Sequence, residues 1–290
     1  MVIAFPAGGP TDFVARLLAD RLKDLLGQSV VVENRAGANG TIGADHVAKS
    51  EPDGHTLLLT TVGAVTVSPH MRTDLPYQPL RDFAPVIHVV GNTTIVVVNP
   101  KLGIKNAKDF IAKAKAAPGT IPFASTGIGS TPHLALELFQ ASAGVKFIHV
   151  PYRGAAPAVT DLLGGQVQAL SADVPVLIAH LRAETLVPIG AAAGKRAEIL
   201  PDVPTLAEQG FPDTDSSNWY GLLAPAKTPP AVVAKLNAAF NAALNDPTIR
   251  NRLIQSGATP TGGTPQEFAT YFKSEYDRWG AVVRARGIKE

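Results

Sequence analysis

Gly9-Pro10-Thr11 and Gly129-Ser130-Thr131 are the residues of this sequence best suited to chemistry, and the chemistry is capture of an anion. Each Gly-x-Thr follows an Ile-x-Phe segment and a run of small residues, and each opens an amphipathic helix. The second copy, Ile121 to Phe139, reads as a short strand, a Gly/Ser/Thr turn and a helix with apolar Leu134, Ala135, Leu138 and Phe139. The first, Ile3 to Leu18, repeats the pattern with a turn two residues shorter. The opening N–H groups of such a helix lack an intrahelical partner and sit at the positive end of its dipole, so the turn suits a carboxylate. Two such turns in separate halves of the chain suggest one ligand gripped from both sides.

Other constellations fit known chemistry less well. Residues 127–132 read Gly-x-Gly-x-x-Pro rather than GxGxxG, and neither turn ends in Gly-Lys-Ser/Thr, so no nucleotide is expected. Ser130 and His133 could form a nucleophile and base, yet Ile128 and Pro132 stand where G-x-S-x-G needs glycine. Capping and packing account for them, and a small serine hydrolase stays as the alternative. His46, His55, His70, His88, His149 and His180 form no HxxxH or HxH pair with acidic neighbours, so neither a metal nor a cofactor is expected. Asp12 suits the dipole of the first helix. Asp173 falls at a strand end before Val174-Pro175, where an open α/β sheet exposes its crevice; facing a carboxylate it would demand an amine or hydroxyl on the ligand. Arg153 reads as an anion clamp or a solvated surface residue, and Trp219 with Tyr220 as a cleft wall or core filling.

Strands alternating with helices must position these residues. At 290 residues the chain suits two lobes better than one. Its 46% hydrophobic and 17% charged residues are ordinary for a folded protein, and 24 prolines with 26 glycines imply many turns. A net charge of +2, with no Lys/Arg block, makes nucleic acid a poor partner. Without cysteine there is no disulfide framework or thiolate, and no apolar run reaches the roughly 18 residues that span a bilayer.

In order, Val2–Phe5 reads as a strand, about Thr11 to Leu26 as a helix capped by Gly27, Val30–Glu33 as a buried strand, and Thr41–Lys49 as a helix. The strand Thr56–Thr60 empties into Thr61, Val62 and Gly63, a third ligand loop. Phe83–Gly91 and Thr94–Val98 are strand-like, with the first lobe crossing at Asn99-Pro100. Asn106 caps a helix over Ala107–Ala116, and strands at Phe147–Val150, Gln168–Ala172 and Val187–Ala191 alternate with helices at about Ala156–Leu163 and before Arg182. A strand from Asn218 to about Pro225 makes the return crossing, giving a discontinuous lobe of 1–99 plus 223–290 and an inserted lobe of 100–222 with the ligand cleft between them. The remainder reads as helical, with Thr264 and Glu267 as a capping box. The fold class is α/β, each lobe a mostly parallel doubly wound sheet flanked by helices.

Many spaced motifs together resemble one family. They are Phe5-Pro6-Ala7-Gly8-Gly9-Pro10-Thr11-Asp12, Val31-Val32-Glu33-Asn34-Arg35, Pro52-Asp53-Gly54, Asp82-Phe83-Ala84-Pro85, Gly129-Ser130-Thr131-Pro132-His133-Leu134 and His149-Val150-Pro151-Tyr152. Asp161 to Val167, Leu200 to Thr205, Trp219, Gly221 and Gly262-Gly263-Thr264-Pro265 continue the series. Across essentially the whole chain the sequence resembles the Bug family, the TctC-type extracytoplasmic solute receptors of tripartite tricarboxylate transporters. The resemblance implies a two-lobed periplasmic binding protein of the type II class, a monomeric Venus flytrap without catalytic residues, that closes on a small carboxylate and delivers it to membrane permease subunits. In this reading the carboxylate is a di- or tricarboxylate, an acidic amino acid or an aromatic acid. By position, the family's ligand role carries to Phe5, Ala7, Gly8, Gly9, Thr11 and Asp12, and to Ser125, Thr126, Gly127, Gly129, Ser130 and Thr131; Thr61, Gly63 and Asp173 join them from the strand-end reading. Ile128 departs from the family's more polar turn and hints at an apolar wall. Periplasmic placement implies a secretion signal, which does not precede Val2 in this sequence. An effector-sensing domain of a transcription regulator would share the architecture.

Overall fold

The computed structural model describes residues 1–289. The chain divides into two compact units, each built on one sheet: Met1–Gly91, Trp219–Ile254 and Thr259–Glu290 form the first, Asn92–Asn218 and Gln255–Ala258 the second.

The first unit runs β1 (Val2–Ile3), α1 (Pro10–Leu26), β2 (Glu33–Asn34), α2 (Thr41–Ala48), β3 (Leu58–Thr61), the short α3 (Ser68–Met71) and α4 (Pro79–Asp82), and β4 (Phe83–Asn92). The second continues with β5 (Thr94–Val98), α5 (Ala107–Ala116), β6 (Pro122–Ser125), α6 (Thr131–Ala143), β7 (Ile148–Pro151), α7 (Ala155–Gly164), β8 (Ala169–Asp173), α8 (Val174–Arg182) and β9 (Val187–Ala192). The chain then supplies β10 (Asn218–Pro225), α9 (Pro230–Asn245), α10 (Pro247–Gln255), β11 (Ala258–Gly262) and α11 (Pro265–Arg286).

The sheet orders are β11-β4-β10-β3-β1-β2 and β7-β6-β8-β5-β9. Both are mixed. β1 is parallel to β2 and β3, with β10 antiparallel to β3. In the same way β6 is parallel to β7 and β8, while β5 runs antiparallel to β8 and β9. The order β10-β3-β1-β2 therefore matches β5-β8-β6-β7 strand for strand, and β1 and β6 hold equivalent places. This equivalence comes from backbone pairing alone, so it is independent of the repeated Gly-x-Thr.

Helices on both sheet faces demand apolar residues on both, and β5 shows it. Val96 and Val98 pack with Phe110, Phe123 and Phe139, whereas their alternating neighbours Ile95 and Val97 pack with Leu162, Leu170 and Leu177. In the first unit, buried Trp219 packs edge-on against Phe268 and Phe272 of α11. That helix begins with the capping box read from Thr264 and Glu267. No helix among the described residues is long and apolar enough to cross a membrane.

Three expectations are corrected. Val30–Glu33 is not a buried strand: only Glu33–Asn34 pairs, at the edge of the sheet, and Val31 is 73% exposed. The C-terminal part is not all helix, because Ala258–Gly262 forms β11 at the opposite edge. The unit boundary falls at Gly91/Asn92 rather than Asn99, since β5 pairs with β8 and β9 and the Asn99 Nδ2 donates to Leu162 O at 2.8 Å. The return falls at Trp219, four residues before 223.

Candidate functional site

In the first unit the turn after β1 is held open by Asp12. Its buried carboxylate accepts from the Gly8 N–H at 3.0 Å, Arg16 Nε at 2.9 Å and Asn34 Nδ2 at 2.9 Å. Burial alone pushes the Asp12 carboxyl up, but the bonds from Arg16, Gly8 and Asn34 and the Arg16 charge outweigh it and hold the group below the usual carboxylate range. Gly8 takes φ +78°, a left-handed conformation that glycine adopts without a Cβ penalty. Gly9 caps α1 with its backbone only, and Pro10 has no N–H. The N–H groups of Thr11 and Asp12 therefore stand at the helix start without an intrahelical acceptor. Phe5 is half-buried, and its carbonyl accepts from Asn34 Nδ2 at 3.0 Å. Ala7 is exposed at the tip.

The second-unit turn is more fully wired. Ser130 caps α6: its Oγ accepts from the His133 N–H at 3.3 Å and donates to Gly127 O at 2.6 Å. The Gly129 N–H, at φ +73°, donates to His133 Nδ1 at 3.1 Å, and the Gly127 N–H reaches Ser125 Oγ at 3.3 Å. The N–H of Thr131, at the first helical position, has no intrahelical acceptor. Loop closure comes from the segment between β7 and α7, where the Tyr152 and Gly154 N–H groups donate to Ser125 O and Thr126 O at 3.0 and 3.2 Å. Ile128 is 37% exposed and stands out of the turn.

The hydrolase geometry is absent from this pair, because Ser130 is bonded to the backbone N–H of His133 while the ring nitrogen Nδ1 is occupied by Gly129. Sequence reasoning missed a different contact. Ser125 Oγ lies 2.7 Å from Nε2 of half-buried His149, whose ring stacks on His133 at a centroid distance of 4.2 Å and an interplanar angle of 5°. Residues 24 apart share no helical or strand spacing, and only the parallel pairing of Phe123 with His149 brings them together.

The third loop is tight. Thr61 ends β3 and Gly63 opens a buried π-helical turn, where a Cβ would stand 2.5 Å from Asn39 Nδ2. Its topological equivalent is the end of β8, Asp173. Asp173 is buried, accepting from Thr94 Oγ1 at 3.0 Å and Asn218 Nδ2 at 2.7 Å. Burial pushes its carboxyl up to about 6 against the pull of those two donors. Arg153 is exposed, as a solvated residue would be. Trp219 and Tyr220 are core, and the Trp219 indole donates to buried Glu275 at 3.3 Å. Among the described residues no group of three His, Asp or Glu side chains is arranged to hold a metal ion.

Comparison with known proteins identifies the family. The family model described as the tripartite tricarboxylate transporter family receptor, TctC, matches residues 14–288. Protein BugT of Bordetella pertussis is 41% identical over 290 residues, covering 100% of this chain and 89% of that protein. The solved structure of the periplasmic binding protein BugD superposes with a TM-score of 0.92 at 33% identity, covering 100% of this chain and 97% of that one. MatC (Rpa3494) from Rhodopseudomonas palustris, with bound malate, superposes with a TM-score of 0.90 at 33% identity over 97% of each chain. A match of this length shows the family: the chain belongs to the TctC receptors of tripartite tricarboxylate transporters, the Bug-type solute-binding proteins.

Proposed function

We propose that the chain captures a small carboxylate by bringing together the turn 5–12 of its first unit and the turn 125–131 of its second, and that it passes the ligand unchanged to a membrane permease of the tripartite type. The observation that carries the reading is the repeated half-site: two turns at equivalent strands, each ending in a helix start with a partnerless N–H at Thr11 or Thr131. Malate in the related MatC supports a carboxylate as the ligand class. Thr61 and Gly63 border the first half-site, and Asp173 contributes through the strands it ties rather than by a direct contact with the anion. Capture alone needs no nucleophile, and the engagement of Ser130 in capping fits a receptor better than a hydrolase. The periplasm is where such a receptor works. Closure is then favoured only by the differential affinity of the closed form for the ligand.

A thermal-shift panel of mono-, di- and tricarboxylates, acidic amino acids and aromatic acids on ligand-stripped protein tests this. At about 100 times its dissociation constant, a bound acid stabilises the protein by roughly 2.7 kcal/mol. Gly9→Val is the matched control, because Gly9 has φ −81° and its Cβ would meet only Pro6 O at 3.3 Å. A folded Gly9→Val protein that no longer responds supports the two-turn site. Wild-type protein that responds to no carboxylate, or a variant that responds as well as wild type, overturns it.

A further inference from the structure

The second turn contains a hydrogen-bond arrangement that the receptor reading does not by itself explain. Ser125 is fully buried, and its Oγ has three protein neighbours: the Gly127 N–H at 3.3 Å, Gly127 O at 3.4 Å and His149 Nε2 at 2.7 Å. A hydroxyl has one hydrogen to donate and two lone pairs to fill. If His149 Nε2 is bare, the Ser125 hydrogen is consumed by the ring and none remains for an anion. If Nε2 carries the proton, the ring N–H and the Gly127 N–H fill both lone pairs. The Ser125 hydrogen then has only Gly127 O, at a long 3.4 Å, as its protein acceptor, and an incoming oxygen anion that enters the turn offers a better one. Only the second arrangement leaves Ser125 able to donate to a ligand.

We infer that His149 is the positioning residue of the carboxylate site: by donating through Nε2 to Ser125, it aims the Ser125 hydroxyl at the ligand, and the His133 ring stacked behind it restrains its orientation. The inference rests on the carboxylate reading given above. His133 has its own fixed polarity, because Nδ1 accepts from the Gly129 N–H and its Nε2 faces Glu137 Oε1 at 3.7 Å. The titratable groups that act on the His149 ring are thus His133 and Glu137, both on α6, while Ser125 approaches it from β6. Burial, and then the neighbouring His133, push His149 down to about 4, so it is neutral at pH 7 and its tautomer decides which way Ser125 points. An anion accepting from Ser125 favours the forms of His149 with a proton on Nε2, and its negative charge favours the imidazolium over the neutral ring. Ligand binding therefore raises the His149 pKa.

Two measurements on the full chain test the inference. In the ligand-free protein, side-chain nitrogen NMR of labelled histidine reads the His149 tautomer directly: a proton on Nε2 is expected, and a bare Nε2 overturns the proposal. Titration calorimetry with malate at pH 7 then compares wild type, Ser125→Ala, His149→Leu, His149→Gln and the Ser125→Ala/His149→Leu double variant. Ser125→Ala and His149→Leu should each weaken binding roughly tenfold to a hundredfold, the worth of one hydrogen bond to a charged group. The double variant should lose no more than either single one, and His149→Gln, which keeps an N–H donor, should recover most of the affinity. Additive losses, or a Gln variant as weak as Leu, would show a merely structural histidine. If wild type binds no acid of the panel, the receptor reading fails, while the tautomer still decides the direction of the Ser125 hydroxyl.

Discussion

Asp12 is the side chain whose removal most directly tests how the first turn is built. Asp12→Ala deletes the acceptor for Gly8, Asn34 and Arg16 at once. The Arg16 side chain is 54% exposed, so that ion pair contributes only about 0–1 kcal/mol. The other two donors reach a buried charged acceptor and contribute about 1.5 kcal/mol each. Asn34 keeps its bond to Phe5 O, which softens the loss. The sum is about 3 kcal/mol for alanine. Asp12→Asn, which keeps one accepting oxygen but turns an NH2 toward a donor, should cost about half of that. For a unit of this size roughly 2–4 °C accompanies each kcal/mol, so alanine should melt about 6–12 °C below wild type at pH 7. The pH dependence has a definite sign. The folded carboxyl titrates below its unfolded value, so its stabilisation is complete above the unfolded pKa of about 4 and is lost as the pH falls through the folded pKa. Thermal melts followed by circular dichroism from pH 7 to pH 3 should therefore show the wild-type advantage shrinking toward acid. An asparagine variant that melts with wild type at pH 7, or a gap unchanged at pH 3, would refute the account.

Asp173 should behave in the opposite sense: with its folded carboxyl pushed up to about 6, its favourable contribution is complete below about pH 4 and is lost as the pH rises through 6. Melts of Asp173→Asn and wild type between pH 4 and 7 should thus diverge by roughly 2–3 kcal/mol, wild type losing ground as the pH rises, and parallel curves would contradict it. Gly221→Ala places a Cβ 2.2 Å from Phe268 Cζ and 2.9 Å from the Trp219 ring, inside a fully buried strand. Overpacking of about 1–3 kcal/mol or more should lower its urea midpoint without changing the slope.

What the sequence reveals of this fold is what neighbouring residues decide together. Gly-x-Thr before a helical period, Asn106 and Ser130 as caps, and the Thr264–Glu267 box are local patterns, and the side chains accept the expected N–H groups. The two turns were legible for the same reason. Val30 to Val32 show the limit: an apolar run has the same appearance in mid-sheet and just before an edge strand, and here β2 begins only at Glu33, at the sheet edge, with Val31 exposed ahead of it. β5 was assigned to the wrong side of the crossing because pairing with β8 and β9, not its composition, decides its sheet. The same limit governs the site. Asp12 reads as a dipole residue from spacing, but its main task depends on Asn34, a residue whose amide bridges Phe5 O and the Asp12 carboxylate across the β1–β2 edge. Asp173 reads as a crevice residue, yet Thr94 and Asn218 reach it from two strands that the sequence separates by more than a hundred residues and the fold brings within hydrogen-bond distance. Backbone geometry, then, determines which polar groups remain available. Local sequence supplies the helix starts and their partnerless N–H groups, while long-range pairing withdraws Asp12, Asp173 and Ser130 into internal bonds. On the function proposed above, that leaves the anion to the main chain and, if His149 acts as inferred, to the Ser125 hydroxyl.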